Sequence, residues 1–293
     1  MSKVEIARLS IGKMRKLLFA PRKDLADIFG EEYGKPKSQI VKPEDIAKYL
    51  SCAAEKHETF CRYMPMARMV DLFKSNMLYL SRLSEMNDLF EYKGALEDAG
   101  RTYLVSFSHM GMENLAMWKL YGGRQDESVR LSFPGKIVAE VLGKRQRVYK
   151  VDADESCDLE SDISEDVESW SFHDVGYVYG QAICHEHRGY VVGVGRCKAL
   201  ERPYEISELA NMLKNYGWIN EGETRLVIKL KKRIPGLKRI AIDFSKPLEQ
   251  VKIKVGPVMS KVTKVRKLLE DVSFNVPPER ISESCHEVDF GEN

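Results

Sequence analysis

The sequence has no apolar run of the roughly 18 to 20 residues that a membrane-spanning helix needs, and its N-terminus lacks a signal-peptide core. It has no Cys-x-x-Cys. The six cysteines are scattered, which suits reduced thiols better than a disulfide framework. The net charge is only +2 over 293 residues, so an overall polyanion binder is excluded and any nucleic-acid contact must come from a local patch. There are no internal repeats, which excludes a solenoid. Gly193-Val-Gly195 lacks a third glycine and a following helix, so it is no dinucleotide fingerprint. Ser106 and Ser108 beside His109 lack the Gly-x-Ser-x-Gly elbow of a hydrolase nucleophile. Cys184-His185-Glu186-His187 and Cys197 are metal-ligand types, but neighbours on one extended segment rarely close a tetrahedron unaided. A cytoplasmic protein without a metal is expected.

What is present is a chain 43% hydrophobic, enough for a full core. Residues 1–42 read as a basic amphipathic extension and linker. Val4, Ala7, Ile11, Met14 and Leu18 recur at helical spacing among lysines and arginines, and Gly34-Lys-Pro36 ends the segment. Such a helix docks on a partner or an anionic membrane surface, or packs on its own domain. Residues 43–293 read as a single α+β domain with a mixed, mostly antiparallel sheet, because strands and short helices interleave without regular alternation. Strands are expected at Thr59–Tyr63, Met77–Ser81, Thr102–Ser108, Ser128–Phe133, Gln146–Val151, Val175–Tyr179, Arg225–Leu230, Arg239–Phe244 and Val251–Val255. Helices are expected from Pro43, from Pro65 with a stripe of Met66, Met69, Val70 and Phe73, and over Glu113–Tyr121, Pro134–Leu142, Glu205–Tyr216 and Ser260–Asp271. Residues 152–168 carry nine acidic side chains and few apolar ones, and are expected to be an exposed insertion.

Chemistry concentrates in Trp218-Ile-Asn-Glu221-Gly-Glu223-Thr-Arg225, where a polar loop becomes a strand. Side chains two apart on a strand point the same way, so Glu221 and Glu223 are expected to project together. Like charges that close cost free energy unless one is protonated, a cation lies between them, or a substrate uses both. The competing expectation is a solvated strand end with Arg225 as counter-charge. Arg62 is the second unusual residue. An arginine inside an apolar, aromatic strand needs an anion, and its planar fork suits a phosphate or a carboxylate. An internal ion pair with Asp88 or Glu91 competes with that reading.

Several short motifs in order resemble a bacterial family known as domain of unknown function 2971. They are Arg62-Tyr63, Leu78-Tyr-Leu-Ser81, Asn87-Asp88-Leu-Phe90-Glu91, Ser106-Phe-Ser108, Trp118 with Tyr121, Trp218 with Glu221-x-Glu223-x-Arg225, and Val255-Gly256-Pro257. The resemblance covers about residues 58 to 271 and departs at Leu89, where a proline is usual, and in the acidic insertion. That family in turn resembles the arginine–serine–glutamate branch of ADP-ribosyltransferases. The resemblance implies a split sheet with flanking short helices and NAD as co-substrate. It implies Glu223 stabilising the positive charge that builds on the ribose and Glu221 accepting a proton from the acceptor. Arg62, Tyr63, Ser106, Ser108, Trp118 and Tyr121 would hold the cofactor, and Trp218 and Tyr216 would present a protein or nucleic-acid acceptor. A toxin or phage-defence effector fits that chemistry. The alternatives are a non-catalytic binding module with a structural Arg/Glu network, or a metal-dependent nucleic-acid-processing enzyme.

Overall fold

The computed structural model describes residues 43–86, 96–122, 127–151, 157–178, 211–257 and 262–284. The basic extension, the Asn87–Glu91 motif, the Cys184–Cys197 segment and the first half of the helix expected over 205–216 lie outside the described residues. The fold is mixed α+β, with short helices and an open, mostly antiparallel sheet. Among the described residues no helix is long and apolar enough to cross a membrane.

In chain order the strands are β1 (Thr59–Pro65), β2 (Met77–Arg82), β3 (Thr102–Ser108), β4 (Ser128–Pro134), β5 (Tyr149–Val151), β6 (Cys157–Asp162), β7 (Val167–Asp174), β8 (Gly176–Val178), β9 (Leu213–Asn215), β10 (Glu223–Leu230), β11 (Arg239–Asp243), β12 (Lys252–Val255) and β13 (Ile281–Glu283). The helices are α1 (Pro43–Ala54), α2 (Met66–Ser75), α3 (Leu96–Ala99), α4 (Leu115–Tyr121), α5 (Gly135–Leu142), α6 (Ser245–Leu248) and α7 (Val262–Asp271). The chain divides into two compact units, one of residues 1–56, 82–104 and 168–234, the other of 57–81, 105–167 and 235–293.

The second unit carries the sheet path β13-β12-β4-β1-β3-β2-β11-β5-β6. β1 and β4 pair antiparallel from Thr59 opposite Pro134 to Pro65 opposite Ser128. Opposed residues share a sheet face, so this register sorts the side chains. Phe60 lies opposite Phe133 on the apolar face. There Phe60, Phe107, Phe133 and Phe244 are all buried and meet edge-on or tilted, with centroids 5.2 to 6.3 Å apart. Cys61 lies opposite Ser132, and Tyr63 opposite Arg130, on the other face.

Pro65 ends β1 and serves as the N-cap of α2 instead of standing inside the helix. The helix buries Met66, Met69, Leu72 and Phe73, with Leu72 rather than Val70 completing the stripe. It stops at Asn76, whose left-handed φ of 55° lets its N–H reach the Leu72 carbonyl. Gly135 opens α5 because a Cβ there would stand 1.7 Å from the His57 carbonyl oxygen. The acidic stretch differs from expectation. Residues 157–162 form β6 and pair antiparallel with β5, and Ile163 and Val167 are buried. Sparse apolar residues suffice because an edge strand gains its partner through backbone hydrogen bonds and needs only a few anchors.

The first unit is organised on β10, which is buried on both faces except at the half-buried Lys229. It pairs with β7 and with β3, the strand that starts in this unit and ends in the other. Val227 packs with Leu83, Ala99 and Leu104. Lys229 reaches Asp98 at 2.9 Å, and Arg101 bonds Asp98, Glu168 and the Leu230 carbonyl. β8 and β9 pair in parallel, so Leu213–Asn215 are strand and not the end of a helix.

Candidate functional site

Glu221 and Glu223 flank Gly222, whose φ of 49° turns a 3₁₀ segment (Tyr216–Glu221) into β10. A left-handed φ at that turn suits glycine because it has no Cβ to clash with the following carbonyl. Both carboxylates are buried, at 5% and 4% exposure. The Lys214 ammonium lies 2.7 Å from Glu221 Oε2 and 3.2 Å from Glu223 Oε2. Arg225, 1% exposed, donates from Nε to Glu223 Oε1 at 2.6 Å and from Nη2 to Oε2 at 3.1 Å, and also bonds the Asn211 carbonyl. Two acids and two bases thus form a charge-balanced network in which a cation lies between the glutamates. The strand end is not solvated, although Arg225 is the counter-charge. The ring of Trp218, 37% exposed, stands 4.8 Å over the Lys214 ammonium and shields it from water. The side chain of Tyr216 lies outside the described residues.

His173 adjoins this network and is fully buried. Its Nδ1 lies 3.1 Å from the Asp174 carbonyl, which places the proton on Nδ1, and Nε2 is buried with no partner among the described residues. Burial pushes its pKa down to about 4. Below the unfolded value of about 6.5 the unfolded chain takes up a proton that the folded chain refuses. Stability is therefore expected to fall as pH drops from about 6.5 towards 4, by up to roughly 3 kcal/mol from this group. Urea unfolding at several pH values checks this, since His173→Leu should flatten the slope by close to one proton.

In the second unit, Arg62 and Tyr63 point to opposite faces of β1. Arg62 is half-buried, its guanidinium carbon 5.6 Å from the Phe107 centroid. Desolvation alone pushes its pKa down to about 10, and it makes no ion pair among the described residues. Asp88 and Glu91, the expected internal partners, lie outside the described residues.

Ser108 lies opposite Cys61, on the Tyr63 side, and its Oγ accepts the Met110 N–H at 3.3 Å. Ser106, two residues back on the same strand, is half-buried. Tyr63 meets Trp118 edge-on at 4.9 Å and accepts the Asn114 N–H at 3.0 Å. Asn114 also caps α4, accepting the Ala116 N–H at 2.9 Å, and so fixes Trp118 inward while Tyr121 remains 40% exposed. The structure thus brings together Tyr63, Trp118 and the Ser108 side of the sheet. Arg62 stands on the reverse face, and the glutamates belong to the other unit.

Two residues escaped the sequence reading. Lys214 fell in a segment whose apolar spacing reads as helix. Arg130 sits in Ser128-Val-Arg-Leu-Ser-Phe133, where alternation assigns it to a polar face that would ordinarily be wet; here it is 4% exposed. In comparisons with family models, curated proteins and solved structures, nothing matches this chain.

Proposed function

We propose that this protein binds a phosphate-bearing small molecule, NAD, with Arg62 meeting the phosphate charge. The observation that carries this reading is the state of Arg62, desolvated over Phe107 and without an ion pair among the described residues. A desolvated guanidinium needs an anion to be stable, and its planar fork matches a phosphate. The open, mostly antiparallel sheet and the motif resemblance to the ADP-ribosyltransferase type of split sheet favour NAD over other phosphates. Thermal shift with NAD, ADP-ribose and nicotinamide riboside tests it. The first two should raise the melting temperature, and the third, which lacks the diphosphate, should not. Equal behaviour of all three would remove Arg62 from the account.

A second reading makes the protein an NAD-consuming enzyme, an ADP-ribosyltransferase or glycohydrolase acting as a toxin or phage-defence effector. The observation favouring it is that Lys214 and Arg225 surround Glu223 with positive charge, which favours its ionised form despite burial. In this reading Glu223 faces the ribosyl cation, Glu221 takes the acceptor's proton, and the exposed Trp218 stacks the acceptor. Nicotinamide release from NAD separates the two readings, because a binding module releases none.

A further inference from the structure

The Tyr63 face of β1 and β4 holds two buried donors that find no acceptor among the described residues. Arg130 is 4% exposed, and its Nη2 donates to the carbonyls of Met110 at 3.0 Å and Gly111 at 2.8 Å and to Cys61 Sγ at 2.9 Å. Among the described residues its Nε is buried with no acceptor and its guanidinium makes no ion pair. Trp118 is 3% exposed, and its indole Nε1 is likewise buried with no acceptor among the described residues. Both residues contact the same ring. The Arg130 guanidinium carbon stands 5.7 Å, and the Trp118 ring 4.9 Å, from the centroid of Tyr63. The Tyr63 hydroxyl already accepts from Asn114, so its own proton is available to donate.

Among the described residues the charges on this face do not cancel. Lys254, opposite Arg130 on β12, is neutralised by Glu113 at 2.5 Å, and Ser284 also bonds that carboxylate. Arg130 is left in excess. Buried N–H groups are almost always paired, and an orphan costs stability. Two such orphans around one aromatic ring, beside a guanidinium with no ion pair among the described residues, call for an acceptor that is also negative.

We infer that Arg130, Trp118 and Tyr63 form a binding site for a small oxyanion, a phosphate or a carboxylate. The guanidinium Nε, the indole Nε1 and the phenol are its donors. The site is independent of Arg62, which faces the other way, so either can stand without the other. Cys61, held against Arg130 and Ser132, belongs to the wall of this site; burial pushes its thiol up, and it carries no reactive role here.

The test is calorimetric titration of the full chain with inorganic phosphate and with acetate, at constant ionic strength set by chloride. Saturable binding of at least one is expected, and which one binds identifies the oxyanion. Trp118→Phe keeps the ring packed against Tyr63 and removes only the N–H, so it should weaken binding about fivefold to tenfold. Arg130→Met should weaken it about tenfold or more, a charge-assisted bond being the stronger loss. Should Arg130→Met fail to fold, Trp118→Phe and Arg130→Lys carry the test, since both keep the packing. No saturable binding by the wild type, or binding unchanged in Trp118→Phe and Arg130→Lys, would overturn the inference and leave these donors to water.

Discussion

Replacing Glu223 with glutamine is expected to destabilise the folded chain by about 3–5 kcal/mol, the usual cost of breaking a buried ion pair from one side. Arg225 is 1% exposed and directs two N–H groups at this carboxylate, so the substitution takes away the charge that those two bonds meet. An amide also turns an NH₂ toward donors. Lys214 retains Glu221 at 2.7 Å, which keeps the loss from spreading through the whole network. Since whole domains are stable by only about 5–15 kcal/mol, the variant should unfold at visibly lower urea. Adding Arg225→Met should recover part of the loss, because it removes the stranded charge, and the double-mutant cycle then reports the coupling. A loss under about 1 kcal/mol would mean that the pair behaves as a solvated surface bridge. It follows that lost activity in Glu223→Gln says nothing about catalysis unless the protein is shown to be folded.

Arg62→Met should act in the opposite direction on stability and remove function. Burial disfavours the charged form of Arg62 and pushes its pKa down to about 10. That shift sets an upper bound near 3 kcal/mol, and because the side chain is only half-buried a gain of about 1–2 kcal/mol is expected. Methionine fills the same space over Phe107 without a charge. If Arg62 holds the ligand phosphate as proposed, the same change removes a charge-assisted hydrogen bond worth about 1.5–3 kcal/mol, or roughly tenfold to a hundredfold in affinity. A residue that costs stability and serves binding is the usual signature of a functional position. Lower stability in Arg62→Met would show instead that the guanidinium is held by partners in the fold.

Much of the fold was legible because its strands have clear periods. Ser128–Phe133, Arg239–Phe244 and Val251–Val255 fall on β4, β11 and β12 within a residue or two. The α+β class and the antiparallel sheet followed from those strands. The division into two units was not legible, since the chain crosses between them five times and the crossings inside β2 and β3 carry no linker composition to mark them. The glutamate pair and its counter-charge Arg225 were readable from spacing of two on a strand. Its burial was not, because Lys214 lies in a segment of helical spacing that the structure makes β9. Arg62 and Tyr63 were grouped as neighbours, and strand alternation puts them on opposite faces. Arg130 stayed hidden because nothing local in Ser-Val-Arg-Leu-Ser-Phe tells that a loop and α4 cover its face. Sequence period assigns faces; only tertiary contacts say which faces are dry.

The most direct test is isothermal titration of NAD into the wild-type protein and Arg62→Met, side by side at low salt. The account predicts saturable binding by the wild type and affinity at least about tenfold weaker in the variant, which remains folded and melts no lower. Equal affinity in the two proteins, or no binding of NAD or ADP-ribose by the wild type, would contradict it.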